Sequence, residues 1–175
     1  MKRIELFPDM QIIFNLYWDY DIDLDLALFY HAKNGDAKGV FAREYTNGRE
    51  SEGSLEAFPF IKYNIVCTPD SVEQIVVRSL NEMKTIHVCV INYEGCIEGE
   101  KTNYSMFKGK IDIITDEKII NSIPINNSDV GDIYVSFRIV LENNQYWLEE
   151  MNNILSLNEA YCSIPGFSDI VEGGD

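Results

Sequence analysis

Apolar and polar residues alternate with a period of two through much of this 175-residue chain, most clearly in residues 18–30, WDYDIDLDLALFY. Ile22, Leu24, Leu26 and Leu28 occupy every second position there. Successive side chains of a β-strand point to opposite faces, so the pattern predicts a strand with one apolar face. A helix would instead place apolar residues three and four positions apart.

Further short β-rich segments follow, and turn signals separate them. Asn34-Gly35 and Asn47-Gly48 are typical of tight hairpins, and Asn143-Asn144 marks a turn inside GDIYVSFRIVLENNQYWLEEM. Many short strands joined by frequent turns predict an all-β fold, an antiparallel β-sandwich. Two segments stay ambiguous. VEQIVVRSL is compatible with a strand or with a helix that starts after Thr68-Pro69, and MNNILSLNEAY also has a helical pattern.

The domain organisation follows from the absence of a Pro- or Ser-rich linker in the sequence. We predict a single domain over residues 1–175, with residues 166–175 as a frayed tail. Alternation in the clearest strands predicts which side chains are mostly buried. These are Ile22, Leu24, Leu26, Leu28, Val88, Val90, Tyr134, Phe137 and Trp147.

The net charge of the chain restricts the kinds of partner that it can bind. With 29 acidic and 14 basic residues, the net charge is −15, which argues against nucleic-acid or anionic membrane surfaces. It fits cations, a basic protein partner or solubility alone. No signal peptide or membrane span is recognisable, so we expect a cytoplasmic protein. Four cysteines without a C-x-x-C pair are expected to be reduced thiols, and His87 with Cys89 would make a poor zinc site.

The acidic row opposite the apolar face is unusual. Asp19, Asp21, Asp23 and Asp25 would share one strand face, with neighbours about 6.5–7 Å apart. Asp is depleted in strands, and like charges on one face repel. A bound Ca²⁺ or Mg²⁺, or a facing row of Lys and Arg, would offset this cost; one ion can take two or three neighbours. The alternative is a solvated outer face.

Several stretches together resemble the tellurium-resistance TerD family. YWDYDIDLDLALFY resembles its Trp-Asp followed by a D-x-D-L-D strand. EGSLEAF, DSVEQIVVRSLNEMKTIHVCVINYE and GDIYVSFRIVLENNQYWLEEM are similar, in the same order, to its later strands and late hairpin. The resemblance extends over roughly residues 10–151.

The resemblance implies a calcium-binding β-sandwich linked to tellurite, phage and other stress resistance. Asp21, Asp23 and Asp25 match the family's acidic strand ligands. The family's second ligand source, a Gly-Asp-Asn to Gly-Asp-Asp-Glu loop, is replaced by AFPFIKYNIVCTPDSVE, which offers Asp70 and Glu73. Because Ca²⁺ takes six to eight oxygens, a site weaker than the family norm is expected.

Two functions remain open. The first is a non-enzymatic, TerD-like stress-response domain with a calcium site. The second is a metal-independent acidic module that binds a protein partner on the same fold. A carboxylate pair can also serve glycoside hydrolysis. However, the sequence contains no nucleophile elbow, P-loop or metal-hydrolase motif, and His31 and His87 stand outside any motif, so we predict no enzymatic activity.

Overall fold

The computed structural model describes residues 2–19, 22–42, 51–66 and 72–172. Strands account for 53% and helices for 13% of these described residues, which confirms the predicted all-β class. The strands of the first half are β1 (Arg3–Leu6), β2 (Ile12–Tyr17), β3 (Asp25–Ala32), β4 (Ala37–Val40), β5 (Gly53–Ser54), β6 (Ile61–Val66), β7 (Val72–Val77) and β8 (Met83–Ile91). Those of the second half are β9 (Thr102–Asn103), β10 (Lys110–Thr115), β11 (Lys118–Pro124), β12 (Val130–Gly131), β13 (Ile133–Glu142) and β14 (Gln145–Leu155).

Within these residues the strands form two large antiparallel sheets. The first has the order β1-β14-β13-β8-β3-β4, and the second has the order β11-β10-β2-β7-β6-β5; β9 and β12 form a separate pair. Hairpins turn at Asn34-Gly35 and at Asn143-Asn144, as predicted, whereas Asn47-Gly48 lies outside the described residues. The ambiguous segment VEQIVVRSL forms strand β7, which pairs with β2 and β6.

The two sheets pack face to face around the main core. Phe14 of the second sheet meets Phe137 of the first edge-on, with ring centroids 5.0 Å apart. Of the nine residues predicted to be mostly buried, seven are fully buried, and Ile22 and Trp147 are half-buried. Trp147 carries the guanidinium of Arg3 over its ring, 4.9 Å from the centroid. The sandwich prediction is therefore confirmed at the level of individual side chains.

Strand β3 differs from its prediction. It begins only at Asp25, so Asp19 and Asp23 are not part of it, and Asp21 lies outside the described residues. The predicted strand face with four aspartates in a row is wrong. Beyond Asp25 both faces of β3 are buried: Leu28 points towards the inter-sheet core, and Phe29 points outward yet is fully covered.

The cover on this outward face is the C-terminal segment. Here α2 (Leu157–Ser163) and α3 (Ser168–Glu172) follow β14, and a Ser156–Glu159 capping box starts α2. The ring of Phe167 packs 5.2 Å from that of Phe29. The predicted frayed tail is therefore wrong for residues 166–172, where Phe167 and Ile170 are buried and α3 continues to Glu172; residues 173–175 are not described.

A third short helix, α1 (Tyr93–Ile97), follows β8 and is capped by Asn92, whose side chain accepts a hydrogen bond from the Gly95 N–H. No helix in the described part of the chain is long and apolar enough to cross a membrane. Cys89, Cys96 and Cys162 carry free thiols, and Cys67 lies outside the described residues.

Candidate metal centre

Three acidic side chains meet where β3 and β7 begin. One carboxylate oxygen each from Asp23, Asp25 and Glu73 lies within 4.8 Å of the others. Asp25 and Glu73 are only 3% and 9% exposed, whereas Asp23 faces solvent. The structure thus brings together three of the five predicted ligands, and Asp21 and Asp70 lie outside the described residues.

Asp23 and Asp25 are placed by the segment that leads into β3. The indole Nε1 of Trp18 donates a hydrogen bond of 2.8 Å to the carbonyl of Ile22, the residue directly before Asp23. Regular pairing starts at Asp25, which lies opposite Ile91 of β8. Asp23 therefore lies outside regular strand structure, so the direction of its side chain does not follow the alternation of a strand.

Glu73 comes from the opposite sheet. Its neighbour on β2 is the fully buried Leu16, so its side chain points into the space between the sheets. Its Oε2 accepts a hydrogen bond from the backbone N–H of Leu26. That N–H lies beyond the pairing of β3 with β4, which ends at Leu28 and Val40. One carboxylate therefore joins the two sheets at this end of the sandwich.

Placing three carboxylates close together, two of them buried, is electrostatically unfavourable. Burial disfavours a charged carboxylate, and neighbouring carboxylates repel one another; a cation bound between them would reduce both costs. Burial first, and the Asp25 charge second, raise the pKa of Tyr93 above its ordinary value. Since the ordinary value is already about 10, the Tyr93 hydroxyl keeps its proton at neutral pH.

The donor set fits a hard cation. Ca²⁺ binds oxygen at 2.3–2.6 Å, so ligands on opposite sides of the ion are about 4.6–5.2 Å apart. The carboxylate oxygens of Asp23, Asp25 and Glu73 lie no more than 4.8 Å apart, so one ion could contact all three. Among the described residues, no other group of three His, Cys, Asp or Glu side chains comes as close together.

His87 and Cys89 are not part of such a group. Both are buried on strand β8, as expected for core or edge residues. Burial, and then the charge of Arg138, lower the pKa of His87 to about 4. Burial raises the pKa of the Cys89 thiol. Both side chains are therefore neutral at pH 7 and fill space in the first sheet.

Comparisons with known proteins identify the fold. No family model and no curated protein matches the sequence. A solved homologue of the telluride resistance protein TerD from Streptomyces coelicolor A3(2) is similar in structure, with a TM-score of 0.57 and 10% identity over 84% of this chain and 90% of that one. The protein of unknown function SAV2460 matches with a TM-score of 0.58 and 11% identity, over 96% of this chain and 99% of that one. The chain thus has a divergent TerD-like fold.

Proposed function

We propose that this chain is a TerD-like stress-response domain without enzymatic activity that binds Ca²⁺ through Asp23, Asp25 and Glu73. The observation that carries the proposal is the convergence of these three carboxylates within 4.8 Å, from the two sheets of a TerD-like sandwich. Asp21 and Asp70 are the further ligands proposed from the sequence. Backbone carbonyls and water would supply the remaining oxygens of the six to eight that Ca²⁺ takes.

The proposed role of the ion is to join structural elements. It would offset the charge of the buried Asp25 and Glu73 and hold the start of β3 against β7. Since Glu73 already bonds the Leu26 N–H, the ion would reinforce an existing link between the sheets. Calcium would in this way control the shape of the surface around the end of the sandwich, which a partner protein would recognise.

Thermal melting in chelator and in millimolar calcium tests the proposal. A ligand that binds only the native state stabilises it by RT ln(1 + [L]/Kd), about 2.7 kcal/mol at a concentration of 100 Kd. We expect calcium to raise the melting temperature of the wild type and to leave that of Asp25→Asn unchanged. Asp129→Asn is the matched control, because Asp129 is an exposed aspartate outside the cluster and should respond like the wild type.

A parallel series with magnesium distinguishes the two hard cations. Calcium should act at lower concentration, because a cluster completed by carbonyls and water suits its flexible coordination better than the strict octahedron of Mg²⁺. Identical melting of the wild type with chelator and with calcium would contradict the calcium proposal. The metal-independent acidic interaction module, which the net charge of −15 also fits, would then replace it.

A further inference from the structure

An apolar groove lies on the outward face of the first sheet, between α1 and the C-terminal helices. Its lining includes Ile91, Ile133, Cys96, Ile97, Leu157 and Ile170. The volume is about 190 Å³. Since an apolar cavity of about 150 Å³ can hold benzene, the groove has room for one aromatic ring or one branched aliphatic side chain.

The groove has a rigid floor and an exposed rim. Ile91 and Ile133 are direct neighbours on β8 and β13, and they form the floor with exposures of only 2% and 1%. Ile170 of α3 closes one side and is equally buried. Ile97, at the end of α1, is 69% exposed, the largest value among the large apolar side chains that the structure describes. A preformed apolar pocket with an uncovered apolar rim is typical of an interaction site.

The chain segments that border the groove are strongly acidic. Residues 92–101 and 156–170 contain one basic residue, Lys101, and the acidic residues Glu94, Glu98, Glu100, Glu159 and Asp169. The single lysine is engaged with Asp132, at 2.7 Å between Nζ and Oδ2. Glu94, Glu98 and Glu100 are exposed. The apolar groove therefore opens onto a surface with negative charge.

We propose that this groove binds one apolar side chain of a partner protein, at a site where the partner's flanking residues are Lys or Arg. The buried isoleucines of the floor would supply affinity by excluding water from the inserted side chain. The acidic rim would select basic sequences and accelerate their association. This inference adds a partner class to the proposed function and uses none of the three carboxylates of the cluster, so either can fail without the other.

Short synthetic peptides and NMR spectra of the full chain test the inference. The probe is a lysine-rich decapeptide with one central Phe. Two matched peptides replace the Phe by Ser or the lysines by Glu. We expect the first peptide to shift the methyl signals of Ile97 and Leu157 and to bind at least about tenfold more tightly than either matched peptide, as expected for one buried anchor.

Two protein variants place the binding in the groove. Ile97→Glu removes apolar surface and adds negative charge at the rim. It should weaken the binding of the first peptide at least tenfold, whereas charge attraction alone would strengthen that binding. Ile119→Glu makes the same exchange on β11, where Ile119 is 60% exposed, and should leave binding unchanged.

Three results would overturn the inference. Equal binding of the Ser peptide would mean that the acidic surface attracts cations without using the groove. Equal binding of the Glu peptide would mean that the groove takes an apolar ligand without regard to charge. A lack of binding by all peptides at millimolar concentration would exclude a basic segment with an aromatic anchor.

Discussion

Buried carboxylates occur in two contrasting settings in this molecule. Glu149 of β14 is 6% exposed. Its Oε2 forms an ion pair with the Nε of Arg138 at 2.8 Å, and its Oε1 forms one with the Nε of Arg3 at 3.0 Å. Burial alone would raise the pKa of Glu149, but the hydrogen bond and charge of Arg138, with those of Arg3, lower it below its ordinary value. At the other site, Asp25 and Glu73 are similarly buried but lie beside a third carboxylate, Asp23.

The difference between the two settings distinguishes a carboxylate that stabilises the fold from carboxylates arranged to bind a cation. At Glu149 two arginines of the same chain balance the charge, so the site needs no ligand to be stable. At the start of β3 the fold concentrates carboxylates, which is the arrangement that hard cations bind. Changes that remove charge should therefore have opposite effects on the free energy of unfolding at the two sites.

The largest expected effect concerns His87, which lies beside Arg138. Its pKa is lowered from 6.5 to about 4 in the native state. Between these two pH values His87 is therefore protonated in the unfolded chain but not in the native chain. The native state loses stability as the pH falls through this window, by about 3 kcal/mol in total. Urea unfolding from pH 7.5 to pH 4 should show this loss in the wild type and not in His87→Gln. A difference between the two proteins that is independent of pH would contradict it.

Glu149→Gln is expected to destabilise the protein by about 2 kcal/mol at pH 7, because charge-assisted hydrogen bonds to both arginines are weakened. Urea unfolding gives the free energy directly. Glu142→Gln is the control: Glu142 also pairs with Arg3, at 2.7 Å, but its side chain is 54% exposed, so its loss should matter little. If Glu149→Gln were as stable as the wild type, the arginines would not be what stabilises the buried carboxylate.

Asp25→Asn is expected to act in the opposite direction. In chelator it should stabilise the protein by about 0.5–1 kcal/mol, since it relieves repulsion within the cluster. With calcium present the same variant should be the less stable protein, because it lacks one ligand. Urea unfolding with chelator and with calcium measures both signs. A loss of stability in chelator would show that Asp25 is balanced within the chain, as Glu149 is.

Asp23→Asn should give a smaller stabilisation in chelator than Asp25→Asn, because Asp23 faces solvent and its repulsion is screened. High salt should abolish the effect of Asp23→Asn and preserve part of that of Asp25→Asn, since salt screens buried groups less. Thermal melts of both variants at low and high salt test the ranking. Equal gains that respond equally to salt would place both carboxylates in the same environment.

The sequence was sufficient for the sandwich, because alternation with a period of two determines which side chains can reach a common core. It was misleading just before Asp25: residues 19–24 alternate like a strand in the sequence, but residues 22–24 lie outside any strand, and the hydrogen bond from Trp18 to Ile22 is not visible in a pattern. It also missed the ordered C-terminal segment. There Phe167 and Ile170 are three positions apart, which is a helical spacing. The polar and glycine residues around them favoured the prediction of a frayed tail instead.

The candidate site could be predicted only in part for a similar reason. Asp25 follows from the acidic motif, and Glu73 follows from its position in the replaced loop. Their convergence depends on how the end of one sheet meets the other, and such long-range packing leaves no local pattern. The bond from the Leu26 N–H to Glu73 is the contact that sequence reasoning did not anticipate.

The packing of Phe167 on Phe29 also has a consequence for the newly made chain. Phe29 is synthesised well before Phe167, on the order of ten seconds earlier at typical rates of translation. During that interval β3 and β8 can pair and yet present an uncovered aromatic surface. Until Phe167 has been made, the growing chain therefore carries an apolar surface that can drive aggregation.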